Sequence, residues 1–244
     1  MDATRKHALA AGLFYLGTFV FSIPAVGLYA GVLDDPHWVL GAGSDGGVRL
    51  GAFIEILTAL TCIGTAVAVH PVIKRYGPAR AMGFVASRTV EAAMILTGVI
   101  AVLAVSTLRQ HGGDPTSLTT AADGLVAIKD WTFLLGPGLA PVVNALCFAT
   151  VLHQSRLVPR WIPTIGMVGA PLLAISSIAT LFGGWEQVSP TATLLALPIA
   201  AWELAVGVYL TWKGFRTPSA DDPRTDGPRT TGSVSSESAV LAPV

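Results

Sequence analysis

LGAFIEILTALTCIGTAVAV, residues 50–69, holds a single charged side chain, Glu55. HPVIKRYGP, residues 70–78, then supplies Lys74, Arg75 and two prolines. ARAMGFVASRTVEAAMILTGVIAVLAVS, residues 79–106, is apolar again, with Arg80 near its start and Arg88 and Glu91 further in. A bilayer's hydrocarbon core is about 30 Å thick and a helix rises about 1.5 Å per residue, so roughly 20 apolar residues cross it. Backbone amides and carbonyls in lipid must pair within their own segment, which makes both runs helical. Two apolar runs around a short basic turn read as a transmembrane hairpin.

The same reading extends over the chain. Six runs qualify: residues 8–33, 50–69, 79–106, 131–152, 161–182 and 192–212. The fold class is therefore all-α, a polytopic bundle of six transmembrane helices within residues 1–216. Composition agrees, since 52% of the 244 residues are hydrophobic and only 12% are charged. Soluble domains carry about twice that charged fraction. Net charge is +0, so no nucleic-acid partner is expected. The partner expected from composition is the lipid bilayer. Arg5, Lys6 and His7 before the first run, with Ala25-Val26-Gly27 near its end, imitate a signal peptide. The run is too long for a signal's apolar region, so it reads as a retained helix.

Basic residues orient the bundle. With the N-terminus inside, Arg5, Lys6, Lys74, Arg75, Arg80, Arg156, Arg160, Lys213 and Arg216 fall on one side. Arg49, Arg109 and Lys129 fall on the other. Both termini are expected in the cytoplasm. Trp131 and Trp185 would mark outer helix ends, and Trp161 and Trp212 inner ends.

The longest connection, 107–130, has apolar residues at helical spacing from Leu118 to Trp131, which predicts a short helix on the outer surface. The tail 217–244 is rich in Ser, Thr, Pro, Asp and Arg and is expected to be disordered in the cytoplasm. His70 and Gly83 flank one basic turn as His153 and Gly166 flank another, at equal separation. Duplication explains this echo, and so does shared loop chemistry.

Three stretches resemble a known family. Ala10-Ala11-Gly12-Leu13-Phe14-Tyr15-Leu16, Ser87-Arg88-Thr89-Val90-Glu91-Ala92-Ala93 and Ser155-Arg156-Leu157-Val158-Pro159-Arg160-Trp161-Ile162-Pro163-Thr164-Ile165-Gly166 are similar to a bacterial multi-pass membrane family, domain of unknown function 4386. The resemblance covers roughly residues 5–215. It departs at 129–138, where Gly136-Pro137-Gly138 interrupts the helix. It implies the fold and a place in the bacterial cytoplasmic membrane, and no activity.

Charges in hydrocarbon cost at least about 2.5 kcal/mol each, so those inside spans need a reason. Arg88, Glu91 and Glu203 are the deepest, with Asn144 near the middle of the fourth run and Glu55 nearer the outer surface. Arg88 and Glu91 are three apart and share a helix face. These five residues are the candidate binding cluster. An ion pair that only staples the bundle is the competing reading. Pro24, Pro137, Pro141, Pro171 and Pro198 fall inside spans, and the carbonyls they leave free need partners from neighbouring helices or water. Asp130 lies at the outer boundary and reads as solvated.

No catalytic motif and no metal-ligand spacing is present. Cys62 and Cys147 sit in apolar runs and read as small apolar side chains. His70 and His153, at the inner ends of two helices, could ligate a haem, but interfacial histidines among basic residues explain them as well, so no cofactor is expected. Three functions remain open. One is a binder or carrier of a small or lipid-like molecule through the Arg/Glu pocket. Another is an intramembrane acid–base enzyme acting on a lipid or isoprenoid. The third is a structural or partner subunit without its own ligand.

Overall fold

The computed structural model describes residues 2–41 and 44–216. The reading of 217–244 as a disordered tail lies outside the described residues. Helix α1 spans Ala3–Asp34, α2 Gly46–Ile73, α3 Pro78–His111, α4 Pro115–Phe133, α5 Ala140–Ser155, α6 Trp161–Leu181 and α7 Pro190–Trp212. Six helical stretches are long and apolar enough to cross a membrane, with α4 and α5 forming one of them.

Local chemistry sets the helix starts. Asp2, Asp114 and Ser189 each accept a hydrogen bond from a backbone amide in the first turn of α1, α4 and α7. Pro78, Pro115 and Pro190 occupy first-turn positions, where a missing N–H leaves no bond unmade. Arg156 ends α5 in the left-handed conformation, at φ 56°.

The helices close a ring in chain order. Each packs on its successor except α4, which reaches α5 through the turn at Leu134–Leu139; α3 lies along both α4 and α5, and α7 returns to α1. Small residues bring that last seam close. A Cβ on Gly12 would strike Thr211, and one on Gly207 would lie 3.0 Å from the Tyr15 Cβ. At the open end of the seam the Arg5 guanidinium donates to Leu210 O at 2.8 Å and Thr211 O at 2.7 Å. A cation thereby caps the carbonyls that end α7. Buried Tyr15, Phe84, Phe148 and Trp202 form an aromatic core where α1, α3, α5 and α7 face one another.

One sequence expectation changes. Residues 118–131 are helical, but not as a separate helix on the surface. They belong to α4, which runs antiparallel along α3. Leu118 is buried with Val102 and Val105, Lys129 lies on Gly98, and Gly136 abuts Met94. The helical stretch that carries the fourth apolar run therefore extends from Pro115 to Ser155. Leu134–Leu139 form one wide π turn that joins α4 to α5 and absorbs Gly136-Pro137-Gly138. Beside the breakers, the Gly138 carbonyl accepts from Ser177 Oγ and the Ala140 carbonyl from Ser87 Oγ, both at 3.0 Å. Hydroxyls of neighbouring helices thus serve the interrupted stretch.

Candidate functional site

Arg88 lies at the centre of the ring. One helical turn separates it from Glu91, and its Nη1 donates to Glu91 Oε2 at 3.0 Å. Its Nη2 donates across the ring to Glu203 Oε1 on α7 at 2.7 Å. Asn144 on α5 donates from Nδ2 to the same Glu91 oxygen at 2.7 Å. The Tyr15 ring of α1 lies 5.0 Å from the guanidinium carbon, and Cys62 of α2 stands 3.8 Å from Nη1. Five helices, α1, α2, α3, α5 and α7, therefore meet around this cluster.

The cluster is buried, with the Glu203 side chain its most accessible member. Arg88 is 1% exposed and Asn144 0%. Its formal charge is −1 with both carboxylates ionised. Four shielded polar atoms around it have no hydrogen-bond partner: Arg88 Nε, Tyr15 Oη, Asn144 Oδ1 and Trp202 Nε1. Trp202 points away from Glu203, with its indole against Gly166 of α6.

Glu55 does not join this cluster. It pairs instead with Lys129 of α4, whose Nζ lies 2.7 Å from both carboxylate oxygens. The physical reason is reach: Glu55 sits about 10 Å nearer the start of α2 than Cys62, the α2 residue that touches Arg88. Lys129 is 5% exposed, and its ammonium lies 5.0 Å from the Tyr29 ring centre. Gly98 makes the space, since a Cβ there would come within 3.0 Å of Lys129 Cδ. Sequence reasoning placed Lys129 on a short helix at the outer surface. The signal was present: Leu118, Ala122, Leu125, Lys129 and Thr132 fall at spacings of four and three on one helix face.

This ion pair forms the floor of a cleft of about 530 Å³ between α1, α4 and the connection from α6 to α7. Tyr29, Trp131, Phe133, Trp185, Asp130 and Glu186 line it. The Tyr29 hydroxyl, Trp185 Nε1 and Gln187 Nε2 in its wall are shielded from water and have no partner. Asp130 is exposed and stands at the edge of the cleft.

His70 and His153 occupy the last turns of α2 and α5, and both are half-buried. Cys62 is buried and Cys147 half-buried, and both are free thiols. Among the described residues, no group of three or more His, Cys, Asp or Glu side chains could hold a metal ion.

Six apolar helices in a closed ring, with two ion clusters between them, define a multi-pass integral membrane protein. Over residues 10–214 the chain matches the family described as Domain of unknown function (DUF4386), and it belongs to that family. No curated protein and no solved structure matches the chain.

Proposed function

We propose that the chain binds a small, lipid-like molecule and carries it in the cell membrane, with the Glu55–Lys129 cleft as its entry site. The observation that supports this most is the open, aromatic-lined cleft of about 530 Å³ ending on a buried ion pair. Ligand sites are commonly apolar cavities of about 300–1,000 Å³ with a few placed polar groups. Ionisable residues inside a membrane bundle mark such sites by default. Arg88, Glu91, Glu203 and Asn144 form the deeper polar station, which a ligand reaches only when helices part.

The test uses the chain purified in native lipid. Small molecules extracted from it are compared with those from a Val26→Trp variant, in which an exposed cleft residue becomes bulky enough to fill the mouth. An amphiphile enriched on the parent chain and lost from the variant is the expected result. Equal recovery from both, or none from either, would overturn the reading.

A second reading has its own support. Two carboxyls share one guanidinium in a water-poor site, and such a pair can hold one proton for acid–base work on a lipid or isoprenoid. Turnover of an isoprenoid that Glu203→Gln abolishes while leaving thermal stability intact would favour it.

A further inference from the structure

We infer that the outer cleft takes a lipophilic organic cation, such as a hydrophobic amine in its ammonium form; this rests on the reading of the cleft as a ligand site. Formal charge is the first argument. Glu55, Asp130 and Glu186 line the cleft against one cation, Lys129, a sum of −2. Both Glu55 oxygens already hold Lys129, so the excess is carried by Asp130 and Glu186. Neither forms an ion pair among the described residues. A neighbouring cavity of about 240 Å³ shares Leu33, Ala127 and Asp130 with the cleft and adds Asp35 and Asp123. Low-dielectric walls carrying one sign of charge concentrate the opposite ion.

Aromatic rings are the second argument. Tyr29, Trp131, Phe133 and Trp185 present their faces or edges to the same space. Rings attract cations through their quadrupole, most strongly where water is displaced. The protein already uses this chemistry once, with the Lys129 ammonium between a carboxylate and the Tyr29 ring. The Tyr29 hydroxyl is the third. Tyr29 is 1% exposed and lines the cleft beside Glu55, and its hydroxyl oxygen accepts no hydrogen bond, so its lone pairs can accept from an N–H of the ligand. Trp185 Nε1 and Gln187 Nε2 are shielded donors that would suit an anion. The formal charge of −2 decides against one, because two side-chain dipoles do not offset two unpaired carboxylates.

The experiment compares three probes of similar size on the full-length chain in lipid nanodiscs, with empty nanodiscs as the blank. They are tetraphenylphosphonium, tetraphenylborate and the neutral triphenylphosphine oxide. Tryptophan quenching reads binding, since Trp131 and Trp185 line the cleft. The cation should saturate at one per chain and bind at least about tenfold tighter than the neutral probe, with the anion weakest. A double variant at the edge, Asp130→Asn with Glu186→Gln, should weaken the cation about tenfold and leave the neutral probe unchanged. Both residues are exposed, so the variant is expected to fold. If the anion or neutral probe bound as tightly as the cation, or if the double variant kept the parent's affinity for it, the inference would fail and the cleft would remain a ligand site. Binding of none of the three would overturn both.

Discussion

Arg88 Nη2 and Glu203 Oε1 stand 2.7 Å apart, although 115 positions separate the two residues in sequence. The bond crosses the ring from α3 to α7, two elements that are not neighbours in it. Glu91 and Asn144 complete a chain of hydrogen bonds through the bundle interior. Helices in lipid gain little from apolar contact with each other, so polar contacts of this kind fix which faces turn inward.

Arg88→Ala should therefore damage the protein most. It strands two buried carboxyls, and breaking a buried pair from one side typically costs about 3–5 kcal/mol. Glu203→Gln keeps an acceptor for the guanidinium and should cost less. Thermal unfolding in detergent checks the order. Arg88→Leu with Glu91→Leu removes the paired charges together, and recovery of the parent's stability and phenotype would reduce the cluster to a dispensable feature.

Gly166 and Trp202 give a prediction about packing. A Cβ on Gly166 would sit 2.6 Å from the indole, which is itself wedged against Tyr15 and Phe148. Gly166→Ala should cost about 1–3 kcal/mol through overpacking. Adding Trp202→Ala should cost less than the sum of the two single changes, because the clash is gone. Additive losses in unfolding experiments would show that Gly166 and Trp202 do not compete for one space.

Hydropathy made the spans legible because lipid demands about 20 apolar residues in each. The inward placement of Arg88, Glu91 and Glu203 was legible from the cost of turning charge to lipid. Glu55 was misassigned because burial alone does not name a partner. Its partner, Lys129, sits in a stretch whose helical spacing was legible, but whose polar residues, Thr119, Thr120, Asp123 and Asp130, make the helix read as lying on the outer surface and not packed along α3. The start of the fourth helical stretch at Pro115 had the same origin, since those polar residues end the apolar run at residue 131, whereas the helix continues before it and a π turn carries it through Gly136-Pro137-Gly138. The cleft depends on how α4 leans relative to α1 and the α6–α7 connection, which no local pattern encodes.

Asp45 sets a pH dependence at the end of the bundle opposite Asp2 and Arg216. It immediately precedes α2 and accepts from Gln110 Nε2 at 2.6 Å, Ser106 Oγ at 2.9 Å and Arg109 Nη1 at 3.2 Å. The Gln110 amide first, then Ser106 and Arg109, hold its carboxyl below the usual carboxylate range, against the opposing effect of desolvation. A depressed folded value means the stabilisation is complete above the ordinary Asp range near pH 3.9 and is lost as pH falls through the lower folded value. Asp45→Asn should thus be less stable than the parent near neutral pH. The difference in unfolding temperature should shrink as pH drops below about 4. A difference that stayed constant, or grew, on acidification would show that the Asp45 charge is not what holds α2 to the end of α3.

Orientation follows from the same set of basic residues. Lys129 counted against a cytoplasmic N-terminus when it was read as a solvated outer residue. Buried against Glu55, it no longer belongs to that count, because the positive-inside bias acts through basic residues in the flanking loops. Arg109 is drawn onto Gly41 and Asp45, which leaves Arg49 as the exposed cation among the three. The opposite end keeps Lys6, Lys74, Arg75, Arg80, Arg156, Arg160 and Lys213 in or beside the helix ends and turns. Both termini are therefore expected in the cytoplasm, and the Glu55–Lys129 cleft toward the outer face. A phosphatase reporter that works only outside should be silent when fused after Phe215 and active when inserted after Gly112, and a fluorescent reporter that folds only inside should show the reverse. Phosphatase activity from the Phe215 fusion would reverse the topology and place the cleft on the cytoplasmic side.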